Sequence, residues 1–546
     1  MQVSPTRAIW RAPAGGRSGR RCRGCANCSR ALHPFKRGPP ETRTSLLSQE
    51  RRSMKLLPAI LSASLVAAPV QAQPADRADL ATRTVMDLAK ATRAPASAPP
   101  ALSVIVVRPG AAPAIYVDGV ADVRTGARAD GDTLFYIASM TKAYVGLMAA
   151  TLDQRGVFDL DQTMTDVWPG LTIEGRDPST ITFRQLLSHQ AAIDNDELTG
   201  ATAYVREIPA GEYGAFLARS EARDEGFQYD NLGYILYGAA LELKTGRHWR
   251  TWLDETVIRP MGMDHTASRV SGWPVTAAGH EWIGDGQWQA RSVKTDDLMH
   301  AAGGLMTSPN DMARWLAANA GRTTLPPTAY AEAQQSLVAA EANQEGIACQ
   351  GYSLGWRTCL VASETVLLHG GGYTGARSGM AIVPRLGVGV AVLSNSDSMT
   401  GYLSGALVKT FLETLIDPTH QPQTPEAFGQ AFSEMLTKQM QRRHERLAQA
   451  RDEATWQGWA WTPDAAALDA YVGRYRSELG DVVVERDGDG LRLQLGQISA
   501  QLTPATPDLF GAQSSPIVTP DEARFMRENG RIVSLNWDGD LLPRVD

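Results

Sequence analysis

At 546 residues with 43% hydrophobic content, the chain is long enough to bury a large core and to hold more than one domain. No apolar run reaches the roughly 18–20 residues of a membrane helix, which predicts a soluble protein without stable membrane insertion once any targeting segment is gone. The formal charge of −6 hides an asymmetry: residues 1–53 carry twelve Lys/Arg against Glu41 and Glu50, a balance of +10 that leaves −16 for residues 54–546, and so acidic a body argues against nucleic acid as a partner.

Residues 1–53 are rich in Arg, Gly and Pro without periodicity and read as a leader or an over-extended start, with Met54 as the natural beginning. Cys22, Cys25 and Cys28 fall there; their spacing resembles a metal cluster, but no fourth ligand completes it. Residues 54–72 combine a short basic start, an apolar stretch and a small-x-small ending at Ala72, a secretory signal peptide that predicts a periplasmic or secreted protein. Helical periodicity follows over 75–93, then a Pro/Ala break, then two β-rich runs at 102–107 and 113–120 joined through Pro109-Gly110 as a hairpin. After Gly131-Asp132 a helix is expected to carry both Ser139 and Lys142 on one face. Ser139 then lies near the helix start, where unpaired N–H groups favour an oxyanion.

From 154 to about 316 the pattern is helix and loop, with helices at 182–190, 231–243 and 308–316; the last has a Ser308 cap, Pro309 and Asp311. Strand signals return at 352–356, 365–369, 379–384 and 388–394, and a helix at 403–416 closes the unit. A sheet assembled from both ends of one domain, 78–418, carries the helices. A linker and a charged helix without a broad apolar face, more spacer than core, occupy 419–462. From 463 to 546, short strands between Gly/Asp turns such as Asp487-Gly-Asp-Gly490 predict a small all-β barrel.

A serine hydroxyl needs a base close by, and Lys142 is one candidate. Tyr229, in Gln228-Tyr-Asp-Asn231, is a second, since an adjacent ammonium favours the phenolate. Asn231 has an amide suited both to a substrate carbonyl and to Lys142, although Tyr-x-Asn also fits a simple cap for the helix that follows. His369-Gly370-Gly371-Gly372 offers N–H groups and close backbone approach for an oxyanion, or else only a glycine-rich turn. Gly351-Tyr-Ser-Leu-Gly355 matches the hydrolase elbow G-x-S-x-G, but a strand follows where that motif needs a helix, so Ser353 is set aside. His189, His280 and His300 lack metal-site spacing, and no metal or cofactor is expected. Cys349 and Cys359 lie in consecutive strand-like segments, where free thiols and a hairpin disulfide both fit.

The order Ser139-x-x-Lys142, Tyr229-x-Asn231, His369-Gly370-Gly371 resembles the three boxes of the penicillin-recognising serine hydrolases, in the branch of class C β-lactamases, D-aminopeptidases and β-lactamase-fold carboxylesterases. The flanks resemble it too: residues 181–189, Pro260-Met-Gly-Met263, Ala302-Gly-Gly-Leu-Met306 and a strand holding Gly355 and Trp356. The resemblance spans roughly 78–418. It implies an α/β (α+β) fold of the β-lactamase/transpeptidase type, an antiparallel sheet with a helical domain, followed by a lipocalin-like barrel. It further implies that Ser139 is acylated, that Lys142 and Tyr229 handle its proton, that Asn231 orients substrate, and that the strand after His369 binds it. The third box departs from the Lys-Thr-Gly of lactamases. A neutral imidazole attracts the β-lactam carboxylate less than ammonium does, and Arg377 compensates only partly. The expectation is therefore an exported serine hydrolase of peptide or amide bonds in short or unusual peptides, D-residue or linearised non-ribosomal ones, with small esters next and β-lactams third. A non-enzymatic sensor of cell-wall fragments is the alternative of a different class.

Overall fold

The computed structural model describes residues 74–546 apart from 94–97, 285, 292–293, 345, 397–400 and 538. The leader with its three cysteines and the signal-peptide segment lie outside the described residues. The described chain opens with helix α1 (Pro74–Ala91) and the antiparallel hairpin β1 (Ala101–Val107) and β2 (Ala114–Asp122). A helical stretch follows, whose longer members are α2 (Thr141–Gln154), α3 (Leu232–Thr245) and α4 (Pro309–Gly321). Then come β3 (Val338–Gln344), β4 (Ile347–Tyr352), β5 (Arg357–Val361), β6 (Glu364–Tyr373), β7 (Ala376–Val383) and β8 (Val388–Ser394), and helices α5 (Gly401–Ile416) and α6 (Pro425–Arg451).

One antiparallel sheet runs in the order β3-β4-β5-β6-β7-β8-β1-β2, extended by the short strand Ala127–Arg128. The ends of the domain meet in its middle, where β1 pairs β8 with Val104 opposite Val392. Every residue of β1 and β8 is buried, because both faces of the sheet are covered, and apart from Ser103 and Ser394 the strands carry no polar side chain. Val104, Val106, Val390 and Val392 face a layer built from α1, α5 and α6; Ile105, Ala391 and Leu393 face α2, α4 and the helical region. The charged helix α6 takes part in that outer layer through a narrow stripe of Phe432, Leu436 and Met440, so it packs rather than merely spacing two units.

Two strand assignments need correcting. Gly355 and Trp356 are not in a strand but in the turn at 353–356, closed by Ser353 N–H donating to the Trp356 carbonyl at 2.9 Å. The 365–369 strand does not end at His369; it continues through the glycines to Tyr373. Cys349 and Cys359 sit directly opposite on β4 and β5 and form a buried disulfide.

The C-terminal strands, β9 (Gly473–Arg476), β10 (Asp481–Asp487), β11 (Gly490–Leu495), β12 (Ile498–Thr506), β13 (Leu509–Gln513), β14 (Asp521–Glu528), β15 (Arg531–Trp537) and β16 (Asp540–Pro543), pair consecutively. A bridge between Tyr475 and Arg544 brings the last strand back to the first, which nearly closes a barrel around Tyr471, Phe510 and Phe525.

Candidate active site

Ser139 lies not within α2 but in a 3₁₀ turn, Ala138–Met140, that feeds it; the helix proper starts at Thr141. Ala138 has φ +46°, a left-handed conformation that costs an L-residue about 1–2 kcal/mol. The surroundings hold it there: Ile137 N–H donates to the Leu305 carbonyl at 3.1 Å, and the Ile137 carbonyl accepts from Ser378 Oγ on β7 at 3.1 Å.

Lys142 follows on the buried first turn of α2 and is 0% exposed. Its Nζ stands 3.3 Å from Ser139 Oγ, 2.7 Å from Asn231 Oδ1 and 2.9 Å from the Ala302 carbonyl oxygen. Two of these partners can only accept, so two N–H bonds are committed to them. The third tetrahedral position points at Ser139. In the amine it holds the lone pair; in the ammonium it holds a proton returned to Oγ. That is the geometry of a base shuttling one proton with a nucleophile.

Asn231 stands at the N-cap of α3, yet its side chain makes no capping bond. Asp230 Oδ1 instead accepts from Gly233 N–H at 3.1 Å, which frees the Asn231 amide for Lys142. The Tyr229 ring has its centroid 5.0 Å from Lys142 Nζ and is 36% exposed, so it borders the open side. Behind it His189, with φ +61°, packs its ring 4.6 Å away. The His189 carbonyl accepts from Gln228 N–H at 2.9 Å and Nδ1 from Asp230 N–H at 3.3 Å, so this histidine clamps the box that presents Tyr229 and Asn231. Burial holds its pKa below the ordinary range, in keeping with an accepting Nδ1. The Arg357 guanidinium lies 5.5 Å from the Tyr229 centroid on the other side.

His369 is buried, with Nδ1 2.7 Å from the Gly370 carbonyl oxygen and Nε2 3.1 Å from Tyr352 Oη. A carbonyl only accepts, so Nδ1 carries the hydrogen and Nε2 accepts from the phenol: a neutral tautomer. Burial first, then Lys142 and Arg357, push its pKa well below the usual value. The third box therefore supplies no cation. It supplies an edge. The first β5 residue, Arg357, pairs opposite Leu368, so residues 369–373 of β6 are paired only with β7. This stretch runs beside the nucleophile turn so closely that a Cβ on Gly371 would fall 2.1 Å from the Ile137 carbonyl oxygen. Gly370, Gly371 and Gly372 thus form extended strand beside Ser139, not a turn. Arg377 pairs opposite Gly372 and lies across it. Ser353 is buried, its hydroxyl donating to the Trp356 carbonyl at 3.1 Å, which removes it as a nucleophile.

The β-lactamase family model matches residues 88–408, well over half of the chain. The chain belongs to the β-lactamase family. Among relatives, it is 26% identical over 306 residues to the unguisins hydrolase ungD' of Aspergillus campestris, a match covering 52% of this chain and 57% of that protein. To Protein flp of Staphylococcus aureus it is 24% identical over 310 residues, covering 55% and 60%. The chain thus spans somewhat over half the length of these relatives. SurE, at 24% identity and TM-score 0.51, is matched over 86% of this chain and 99% of its own. The octameric penicillin-binding protein homologue from Pyrococcus abyssi is matched over 86% and 99%, at 20% identity and TM-score 0.53. The D-amino acid amidase from Ochrobactrum anthropi SV3, at 23% identity and TM-score 0.51, is matched over 62% and 98%. These likenesses establish the mixed α/β fold of the family. Within it the structure brings together Ser139, Lys142, Asn231, Tyr229 and the 369–372 edge. Sequence reasoning missed three contributors: the Ala302 carbonyl, whose only signal was the Ala302-Gly-Gly block, and His189 and Arg357, which lay in blocks read as flanks.

Proposed function

We propose that the protein is an exported serine hydrolase that cleaves amide bonds in short or unusual peptides through an acyl-enzyme. The observation that carries this is Lys142 Nζ, held by two obligate acceptors with its third position on Ser139 Oγ. Ser139 Oγ attacks the carbonyl carbon as its proton passes to Lys142, and the C–O bond forms while the π electrons move to the oxygen. The N–H groups of Ser139 and of the 370–372 edge receive that oxyanion. Collapse expels the amine, protonated by the Lys142–Tyr229 pair. Water, deprotonated by the same pair, then releases the acid and regenerates Ser139.

The free edge at 369–373 supports an extended, peptide-like substrate, which can add a strand there. The neutral His369 speaks against a preference for β-lactams. Relatives named for unguisin hydrolysis and D-amino acid amidase activity favour amides over esters. Export is supported by the signal-peptide pattern at 54–72 and by the Cys349–Cys359 disulfide, a bond that persists in oxidising compartments. The test is a panel of p-nitroanilides of D- and L-residues, p-nitrophenyl esters and nitrocefin on wild type and Ser139→Ala. Anilide turnover abolished in the variant is expected. Turnover that survives Ser139→Ala would sink the mechanism, and a fluorophosphonate that fails to label Ser139 would favour the non-enzymatic sensor.

A further inference from the structure

Lys294 is a buried cation that the chemistry above leaves unused. The residue is 5% exposed, its Nζ donates to the Leu298 carbonyl at 2.9 Å, and the Tyr373 and Tyr136 ring centroids lie 4.6 and 5.8 Å away. Among the described residues no carboxylate stands within 4 Å of it. Asp296, two residues on, is turned to the backbone N–H groups of Val270 and Ser271 and to the Ser271 hydroxyl. A cation kept from water without a counter-charge is costly, and such groups concentrate where a ligand supplies the missing charge.

The place is specific. Lys294 lines a pocket with Tyr136, Met299, Met306, Tyr373 and Thr374. Tyr373 is the last residue of the open β6 edge, and Tyr136 lies three residues before Ser139 with its hydroxyl donating to the Gly303 carbonyl. The neighbouring carbonyl, Ala302, is the one that holds Lys142. The pocket thus adjoins the nucleophile across residues 302–303, at the Gly372–Tyr373 end of the edge on which a substrate strand would lie. We propose that this pocket is a carboxylate subsite: Lys294 takes an anionic terminal residue of the substrate, with Met299 and Met306 against its aliphatic part. This rests on the hydrolase reading and names its substrate class. The third box itself holds no cation, and Lys294, over the Tyr373 ring, stands at the end of its strand.

The probes are N-acetyl-D-Phe-D-Leu as the free acid, its C-terminal amide, and N-acetyl-D-Phe-D-Glu amide, which moves the carboxylate to a side chain. Wild type should prefer a carboxylate over the neutral amide by about 10- to 100-fold in kcat/KM, as a charge-assisted bond allows. Lys294→Met should bring the ratio toward one and Lys294→Arg should restore part of it. Preference for the Glu amide alone would place the carboxylate on a side chain and still support the pocket. A wild-type ratio near one, a ratio untouched by Lys294→Met, or one that collapses only with Arg357→Met would overturn it. If wild type cleaves none of the probes, the hydrolase reading fails separately; calorimetric binding to Ser139→Ala then decides the pocket, tighter binding of the acid supporting it and equal binding of acid and amide rejecting it.

Discussion

Lys142 is fixed by what its neighbours cannot do: neither the Asn231 amide oxygen nor the Ala302 carbonyl can donate to it. Replacing Asn231 by Asp puts a carboxylate where a neutral acceptor stood, which favours the ammonium and withdraws the base from Ser139. Acylation, followed as the burst of p-nitroaniline, is expected to fall about 100-fold in Asn231→Asp, within the 10²–10⁴ that general-base catalysis contributes, and to recover as pH rises. Lys294 differs, because burial alone pushes its pKa down to about 7. It faces the uncharged rings of Tyr136 and Tyr373, and nearby His300 is itself held neutral by burial, so the Leu298 carbonyl is what tempers the desolvation. The sign follows from proton binding. An unfolded lysine keeps its proton to about pH 10.4, so between about 7 and 10.4 the unfolded chain binds more, and stability from this group rises with pH over that window. Below about pH 7 the penalty is fully present. Lys294→Met should therefore stabilise the apo protein by about 3–5 kcal/mol at pH 6 and by little at pH 10, read from urea midpoints. A gain independent of pH would contradict this.

Elements place these residues, and two invite direct tests. Strand β6 passes the nucleophile turn with no room for a side chain at Gly371. Gly371→Ala must push β6 from Ile137, and overpacking of this kind costs about 1–3 kcal/mol. The larger expected effect is a fall of at least about 100-fold in kcat, since an oxyanion donor displaced by an ångström loses most of its worth. The β4–β5 pair carries the disulfide, which closes a loop with a sequence separation of 10. Chain-entropy bookkeeping gives such a crosslink about 2–3 kcal/mol, so Cys349→Ala/Cys359→Ala should lower the urea-derived stability by that amount. Much at this scale was legible in the sequence. Ser308, Pro309 and Asp311 mark the start of α4, and the β-rich runs at 102–107 and 388–394 mark β1 and β8 as strands, to which the structure adds burial on both faces. The glycine run of β6 reads as a turn because glycine is a weak strand former, and only the approach of Ile137 explains it. β13 (Leu509–Gln513) is too short and too uniformly buried to show alternation, and β14 (Asp521–Glu528) is so charged that only Ala523 and Phe525 face inward. Lys294 carries no local signal and His189 shows only as the end of the 181–189 flank, since their roles come from what surrounds them in space.

At the scale of the whole molecule the barrel is coupled to the cleft wall. The N–H of Gln497, in the turn between β11 and β12, donates to the Tyr204 carbonyl at 2.7 Å. Tyr204 stacks on Tyr373 with centroids 5.5 Å apart, and Tyr373 meets Tyr136 edge-on at 5.4 Å. A path of three rings therefore leads from the barrel turn to the pocket beside Ser139. A second attachment, Arg291 donating to the Ser514 carbonyl at 2.8 Å, keeps the barrel seated independently of the first. Gly496 is the sensitive point. Its φ is +56°, and a Cβ there would lie 2.4 Å from the Tyr204 carbonyl oxygen. Gly496→Val must lift the turn from residues 204–205, and with Arg291 still holding the barrel, the strain falls on the Tyr204–Tyr373 stack. Aromatic pairs of this kind are worth about 0.5–1.5 kcal/mol, so KM for an N-acetyl-D-dipeptide should rise about 2- to 10-fold. Because Lys142 and Asn231 lie outside the path, kcat should change less than KM. Leu541→Asp, at a site 63% exposed on β16, controls for any change to the barrel. Equal KM values for Gly496→Val and Leu541→Asp would show that the barrel is seated on the hydrolase unit without shaping its substrate cleft.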